Sequence, residues 1–234
     1  MRAGRVLLPP GQRRITGFPR FGIGGRPPVT APEPAIEITG AGMETFELPL
    51  SALADLPRRQ VKADFHCVAG WTATGLRWEG VAFADLFDLV IEPRLPAGVT
   101  ITHVAFGGLD GFRSIDTVED ALQPDVLVAE HLDDVPLDGD HGAPVRLLSP
   151  QQYGFVSTKH LCRIELHTTR PRERYHPKRR IQAGLQLVKP HPRARVRFEE
   201  RHRYLPGRAV RPLYHLLIPL FRRINARSAG RAGR

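Results

Sequence analysis

Cys67 carries the most chemical promise in this chain. It follows His66 at the end of an apolar stretch and enters a Gly- and Trp-containing loop, HCVAGWTATGLRWEGV over residues 66–81. A thiolate needs cationic or donor-rich surroundings, and loop amides can supply donors. A lone cysteine is more commonly a small buried hydrophobe, so both readings stand at this point. The second cluster is DHGAPVRLLSPQQYGFVSTKHLCRIEL, residues 140–166, which sets His141, Arg146, Ser157, Thr158 and Lys159 on turns at strand ends. An arginine fork, a lysine point charge and two hydroxyls together match a phosphate.

Several other chemistries are excluded. Gly22, Gly24 and Gly25 follow no strand and open no helix, so they make neither a dinucleotide fingerprint nor a P-loop. No serine sits in a nucleophile elbow, and no His or Cys pair has zinc-site spacing. With only Cys67 and Cys162, a disulfide framework is ruled out.

The elements that must position these residues are read from periodicity. Ile36–Thr39 and Thr45–Leu50 alternate around a glycine turn and predict a hairpin. Ser51 is the expected cap of a short helix closed by Pro57, and residues 60–67 read as a strand ending on Cys67. Phe83, Leu86, Phe87 and Val90 recur at helical spacing. Residues 100–106, 126–132, 145–149 and 161–167 read as strands. Trp71 and Trp78 read as core or as pocket walls, Cys162 as core, and His66 as a metal-tuning donor or an exposed strand end.

The expected fold class is therefore α+β, with mixed sheets and short helices. Its units are an irregular arm over residues 1–34, a body over 35–169, and a basic Pro- and Arg-rich extension over 170–234. The 234 residues, 41% of them hydrophobic, suffice for one core, while no apolar run is long enough for a spanning helix. The extension carries 19 Lys or Arg against three acids, a net +16, whereas residues 1–169 sum to −6. Leu213, Leu216, Leu217, Leu220 and Ile224 predict a basic amphipathic helix near 211–225, kinked at Pro219. Such a tail fits an anionic membrane surface or an acidic protein partner, or it packs on its own domain. The short apolar stretch behind the first arginines does not read as a signal peptide, and the expected location is cytoplasmic.

Taken together, the loop at 66–81, the run HVAFGGLDGF at 103–112 and the segment 140–166 resemble the molybdopterin-binding domain of the sulfite oxidase family in order and spacing. The resemblance covers roughly Phe18 to Leu166. It implies a sulfite-oxidase-type fold and an oxygen-atom-transferring oxidoreductase whose molybdenum is held by a pyranopterin dithiolene and by Cys67. It also implies that His141, Arg146, Ser157, Thr158 and Lys159 bind the cofactor, with Arg20 in GFPRFG a further candidate.

Two departures bear on substrate. Animal and plant sulfite oxidases have an arginine five residues after the ligand cysteine, where this chain has Thr72. Their active-site tyrosine aligns with Glu130, a candidate for proton transfer here. Losing a cation and gaining a carboxylate disfavours sulfite, and the segment C-V-A-G-W-T is more similar to bacterial methionine-sulfoxide reductase catalytic subunits. The expected partners are a small-molecule substrate and a separate electron-transfer protein, not nucleic acid. The alternative is a cofactor-free scaffold whose tail binds nucleic acid, an anionic membrane or an acidic protein.

Overall fold

The computed structural model describes residues 7–19, 27–172, 189–216 and 218–219. Two mixed sheets dominate. The first joins β1 (Arg13–Arg14), β4 (Arg58–His66), β5 (Trp71–Ala82), β8 (Leu127–Leu132), β9 (Val135–Pro136) and β10 (Arg146–Leu148). The second runs β3 (Phe46–Pro49), β2 (Ala35–Gly40), β11 (Leu161–His167), β6 (His103–Gly108), β7 (Arg113–Thr117). Within it β2 and β11 are parallel and every other pair is antiparallel.

Alternation builds the core between the sheets. Ile36 and Ile38 of β2, Val104 and Phe106 of β6, and Ile164 and Leu166 of β11 face Val81, Val128 and Leu147 of the first sheet. The first sheet is buried on its far side too, because Leu127, Ala129 and Leu148 join a second cluster with Phe65, Trp71 and Trp78. Phe18 and Ile15 of the N-terminal arm and Tyr214 and Ile218 of the C-terminal segment pack over that cluster. Burial on both faces accounts for the consecutive apolar residues Leu127, Val128 and Ala129 of β8 and Leu147 and Leu148 of β10.

Several elements differ from expectation. The longest strand, twelve-residue β5, occupies what the sequence presents as a loop. Its Thr, Ala and Gly residues give no alternating pattern, and Gly80 is needed there because a Cβ would meet Val128 O at 2.1 Å. Strand β7 is also unforeseen, since its inward-facing residues are Ser114 and Asp116. Residues 83–90 form only a short α-helix, α1 (Phe83–Leu86), continued by a π-helical turn, Phe87–Ile91. The turn after β3 is a 3-10 helix, Leu50–Asp55, that begins at Pro49 with no side-chain cap, so Ser51 does not cap it.

The arm is not wholly irregular, because Arg13 and Arg14 pair in parallel with Trp71 and Thr72. The C-terminal segment is not a free tail over its described part. Ala194, Val196 and Arg201 are buried, and Arg193 pairs with Asp120 across the body. After the short helix α2 (Val118–Ala121), helix α3 spans residues 207–216; its exposed large apolar side chains are Leu213 and Leu216, while Tyr214 packs inward. Part of the predicted leucine stripe thus faces outward; Leu217, Leu220 and Ile224 lie outside the described residues.

Candidate active site

A tight turn between β4 and β5 presents Cys67. Its amide donates to Trp71 O at 2.9 Å, and the Gly70 amide donates to Cys67 O at 2.9 Å. Gly70 has φ +94°, a conformation that favours glycine. The thiol is free and only 6% exposed. Burial pushes it up to about 12, opposed by a hydrogen bond from the Ala69 amide and by the charges of Arg201 and Lys159. Those opposing influences are what a thiolate ligand requires once a metal replaces the proton.

Behind the turn runs a buried polar chain. Gln12 Nε2 donates to Cys67 O at 3.3 Å, and Gln12 Oε1 accepts from the Thr72 hydroxyl at 3.0 Å. Thr72 has a single proton to give, so in this arrangement His66 Nδ1 is the donor in its 2.9 Å contact with Thr72 Oγ1. Burial lowers the His66 pKa, with Asp64 opposing. His66 is therefore not an exposed strand end, and Thr72 stands fully buried with no cation at its position.

Arg146 is the most deeply committed of the expected cofactor residues. It is fully buried, and its guanidinium donates to the backbone carbonyls of Leu147 (3.2 Å), His141 (2.9 Å) and Ser157 (2.9 Å). The rings of Phe65 and Trp78 lie 5.1 and 5.4 Å from its carbon. With no carboxylate in this set, burial lowers its pKa to about 9. An uncompensated cation among carbonyls is a setting that an added anion would stabilise.

The other expected residues divide. Lys159 donates to Asp140 O, and its charge favours the ionised form of the Cys67 thiol. His141 sits at the rim, its Nδ1 2.8 Å from Asp138 Oδ1 and its Nε2 2.9 Å from Phe18 O. The Ser157 hydroxyl accepts from the Ser149 amide at 3.0 Å. Thr158 turns its hydroxyl inward to Ser114 Oγ at 2.8 Å, which places it in the core. Trp71 and Trp78 are core residues that also line the aromatic cluster around Phe18 and Phe65. Cys162 is half-buried on β11, its thiol 3.6 Å from Gly107 O. Arg20 lies outside the described residues.

Glu130 is a correction. Its carboxylate pairs with Arg58, which is also 3.2 Å from Glu79, at the far end of β4 from Cys67. Eight residues of strand separate Arg58 from His66, about 25 Å at 3.3 Å per residue. A proton carrier for the Cys67 turn cannot sit there. Glu130→Gln is expected to leave turnover and its pH profile unchanged within about twofold, because a half-exposed ion pair contributes little. A bell-shaped profile that lost one limb in this variant would restore the carboxylate to the chemistry.

Sequence reasoning passed over Gln12 and Arg201, both in segments it treated as peripheral. Nothing in their local sequence separates them from neighbouring polar residues; the packing of the N-terminal arm and of the C-terminal segment against the Cys67 turn does.

One buried thiol on a turn between strands, and a buried arginine held only by carbonyls, make a donor set that suits a soft metal and an anionic cofactor. The family model of the oxidoreductase molybdopterin binding domain matches residues 24–175, and the chain belongs to that family. It is an oxidoreductase with a molybdopterin cofactor.

Among its relatives, the Bacillus subtilis oxidoreductase YuiH is 29% identical over 164 residues, covering 70% of this chain and 79% of that protein. The protein-methionine-sulfoxide reductase catalytic subunit MsrP of Gluconobacter oxydans is 27% identical over 172 residues, with 64% and 54% covered. Sulfite oxidase of Arabidopsis thaliana is 26% identical over 162 residues, with 56% and 41% covered. This chain therefore spans about half the length of that MsrP and less of the plant enzyme. The sulfane dehydrogenase SoxCD of Paracoccus pantotrophus shares the fold, with a TM-score of 0.52 at 16% identity over 62% of this chain and 41% of that one.

Proposed function

We propose that this chain is a molybdenum oxygen-atom transferase that reduces a sulfoxide-type oxide, with Cys67 as the protein's ligand to the metal. The observation that carries the reading is Cys67 itself, a free buried thiol on a strand-to-strand turn with Lys159 and Arg201 acting on its sulfur. Among the described residues, no group of three or more His, Cys, Asp or Glu could hold a metal by protein ligands alone. A metal at Cys67 therefore needs the cofactor's own sulfur ligands, which suit the same soft ion.

The residues present fit such a group. Arg146 and Lys159 would counter its phosphate, and the packed cluster of Phe18, Phe65, Trp71 and Trp78 would shield the Cys67 side of the group from water. When bound, the cofactor supplies the two-electron redox step, and the chain's task is to bind, orient and tune it. Thr72 supports a neutral oxide over sulfite, because its buried hydroxyl offers no positive charge for a dianion.

Electrons would reach the site from a separate protein. The outward Leu213 and Leu216 of α3, followed by residues 221–234 with five arginines and no acids, support an acidic partner docking at this end.

The test is metal and pterin content of protein purified from a host that makes the cofactor, beside Cys67→Ser. Near-stoichiometric molybdenum in the parent and at least a tenfold loss of sulfoxide reduction in the variant are expected. A folded parent with no molybdenum or pterin ends the reading, and wild-type activity in Cys67→Ser ends the ligand assignment.

A further inference from the structure

Arg201 lies outside residues 24–175 that the family model covers, in the segment whose sequence reads as a basic tail, and it is fully buried. Its Nη1 donates to Val68 O, inside the Cys67 turn, and its Nη2 donates to Gly11 O of the N-terminal arm at 2.9 Å. The guanidinium carbon is 5.1 Å from the Tyr153 ring centre and 5.8 Å from that of Tyr214. Tyr214 is fixed in turn by a 2.6 Å contact between its hydroxyl and His202 Nε2. The neighbouring carboxylate, Glu199, is taken by Arg211 through contacts of 3.2 and 2.6 Å.

Three separate stretches of chain thus meet at one side chain. The arm is tied to the turn a second time, since the Arg13 amide donates to Gly70 O at 2.9 Å. His215 of α3 also lies 3.1 Å from Gly11 O through its Nε2. Arginine suits the junction because its planar fork reaches two carbonyls at once, which a lysine point charge does less well. Its charge is screened little in this buried position, so it is felt at the Cys67 sulfur.

We propose that Arg201 is a positioning residue for the cofactor site: it locks the Cys67 turn to the N-terminal arm at Gly11 and to the C-terminal segment, and it sets a buried positive charge that acts on the ligand sulfur. The second half rests on Cys67 being the ligand; the first half does not. The C-terminal segment is then part of the active site's scaffold, whatever else its basic end binds.

The test uses full-length Arg201→Gln, Arg201→Lys and Cys67→Ser. In cofactor-free protein, hydrogen exchange at the Cys67 and Gly70 amides is expected to quicken about tenfold or more in Arg201→Gln, with β11 amides unchanged. Arg201→Lys, which keeps one donor, is expected to fall between. In loaded protein, the molybdenum(V) resonance of Arg201→Gln is expected to move and the metal's reduction potential to fall, because the reduced state loses a stabilising cation. Arg201→Lys is expected to retain the parent's potential.

Parent-like exchange and an unmoved resonance in Arg201→Gln overturn the proposal. Should that variant not accumulate as folded protein, parent-like exchange at both amides in Arg201→Lys does so instead. An unmoved resonance in Cys67→Ser removes the ligand reading alone, and the exchange data still judge the positioning role.

Discussion

Arg146→Ala is expected to abolish cofactor retention and to lower folding stability by about 2–4 kcal/mol. Two opposing effects decide the magnitude. Burying a guanidinium without a carboxylate is costly, and burial indeed pulls its pKa down to about 9, so removing it gives some relief. Against that, the carbonyls of His141, Ser157 and Leu147 lose their Arg146 donors. Each buried carbonyl left unpaired costs about 1–3 kcal/mol. The truncation also opens a void beneath Phe65 and Trp78, which pack on the guanidinium.

The unpaired carbonyls and the void outweigh the desolvation relief, so destabilisation wins. Arg146→Lys keeps the charge without the three-way donation and is expected to fall between, with partial pterin content. Denaturant midpoints with pterin fluorescence on the same samples check this. A variant at the parent's midpoint with full pterin would show that Arg146 neither holds the surrounding carbonyls in place nor meets the phosphate.

How far the site was legible follows from what each residue touches. Cys67, Arg146 and Lys159 stand at or beside the ends of β4, β10 and β11, elements that periodicity indicates, whereas their grouping into one site rests on the resemblance to the family. Thr158 shares that turn, but Ser114 of β7 draws its hydroxyl into the core, and β7 hides its burial behind polar residues. Glu130 aligned by position along β8, yet the face it occupies is set by pairing with Arg58 across the sheet. Strand β5 escaped notice because it is covered on both faces and mixes Trp with Thr, Ala and Gly. The two chain ends were the least legible. Their contacts are long-range, as in Arg201 to Gly11 and His141 to Phe18, and local periodicity carries no trace of such pairings.

Asp116→Asn is expected to stabilise the protein above neutrality by up to roughly 4 kcal/mol, by roughly 1.5 kcal/mol at pH 5, and hardly at all below about pH 4. Asp116 sits inward on β7 at 1% exposure, and among the described residues its Oδ2 has no hydrogen-bond partner. Oδ1 accepts from Gln152 Nε2 and from the Thr117 amide, both at 2.9 Å. Burial pushes its pKa up to about 7 from an ordinary 3.8, with the Gln152 bond opposing and Asp120 adding to the rise.

A folded pKa above the unfolded value means that an acid favours the folded state when protonated. Its cost is absent below about pH 4, grows as the pH climbs toward 7, and is complete above that. Asparagine keeps the oxygen that accepts both hydrogen bonds and never ionises. His66 and His160, whose pKa values burial lowers, pull the other way by making the fold firmer as the pH rises. Comparing variant with parent cancels their contribution. The ionisation also reaches the C-terminal segment, because the Gln152 amide that serves Asp116 donates to Arg193 O at 2.8 Å. Thermal midpoints of the pair from pH 5 to 8 are expected to diverge with rising pH, the variant lying above; parallel curves across that range would show that Asp116 ionises normally in the fold.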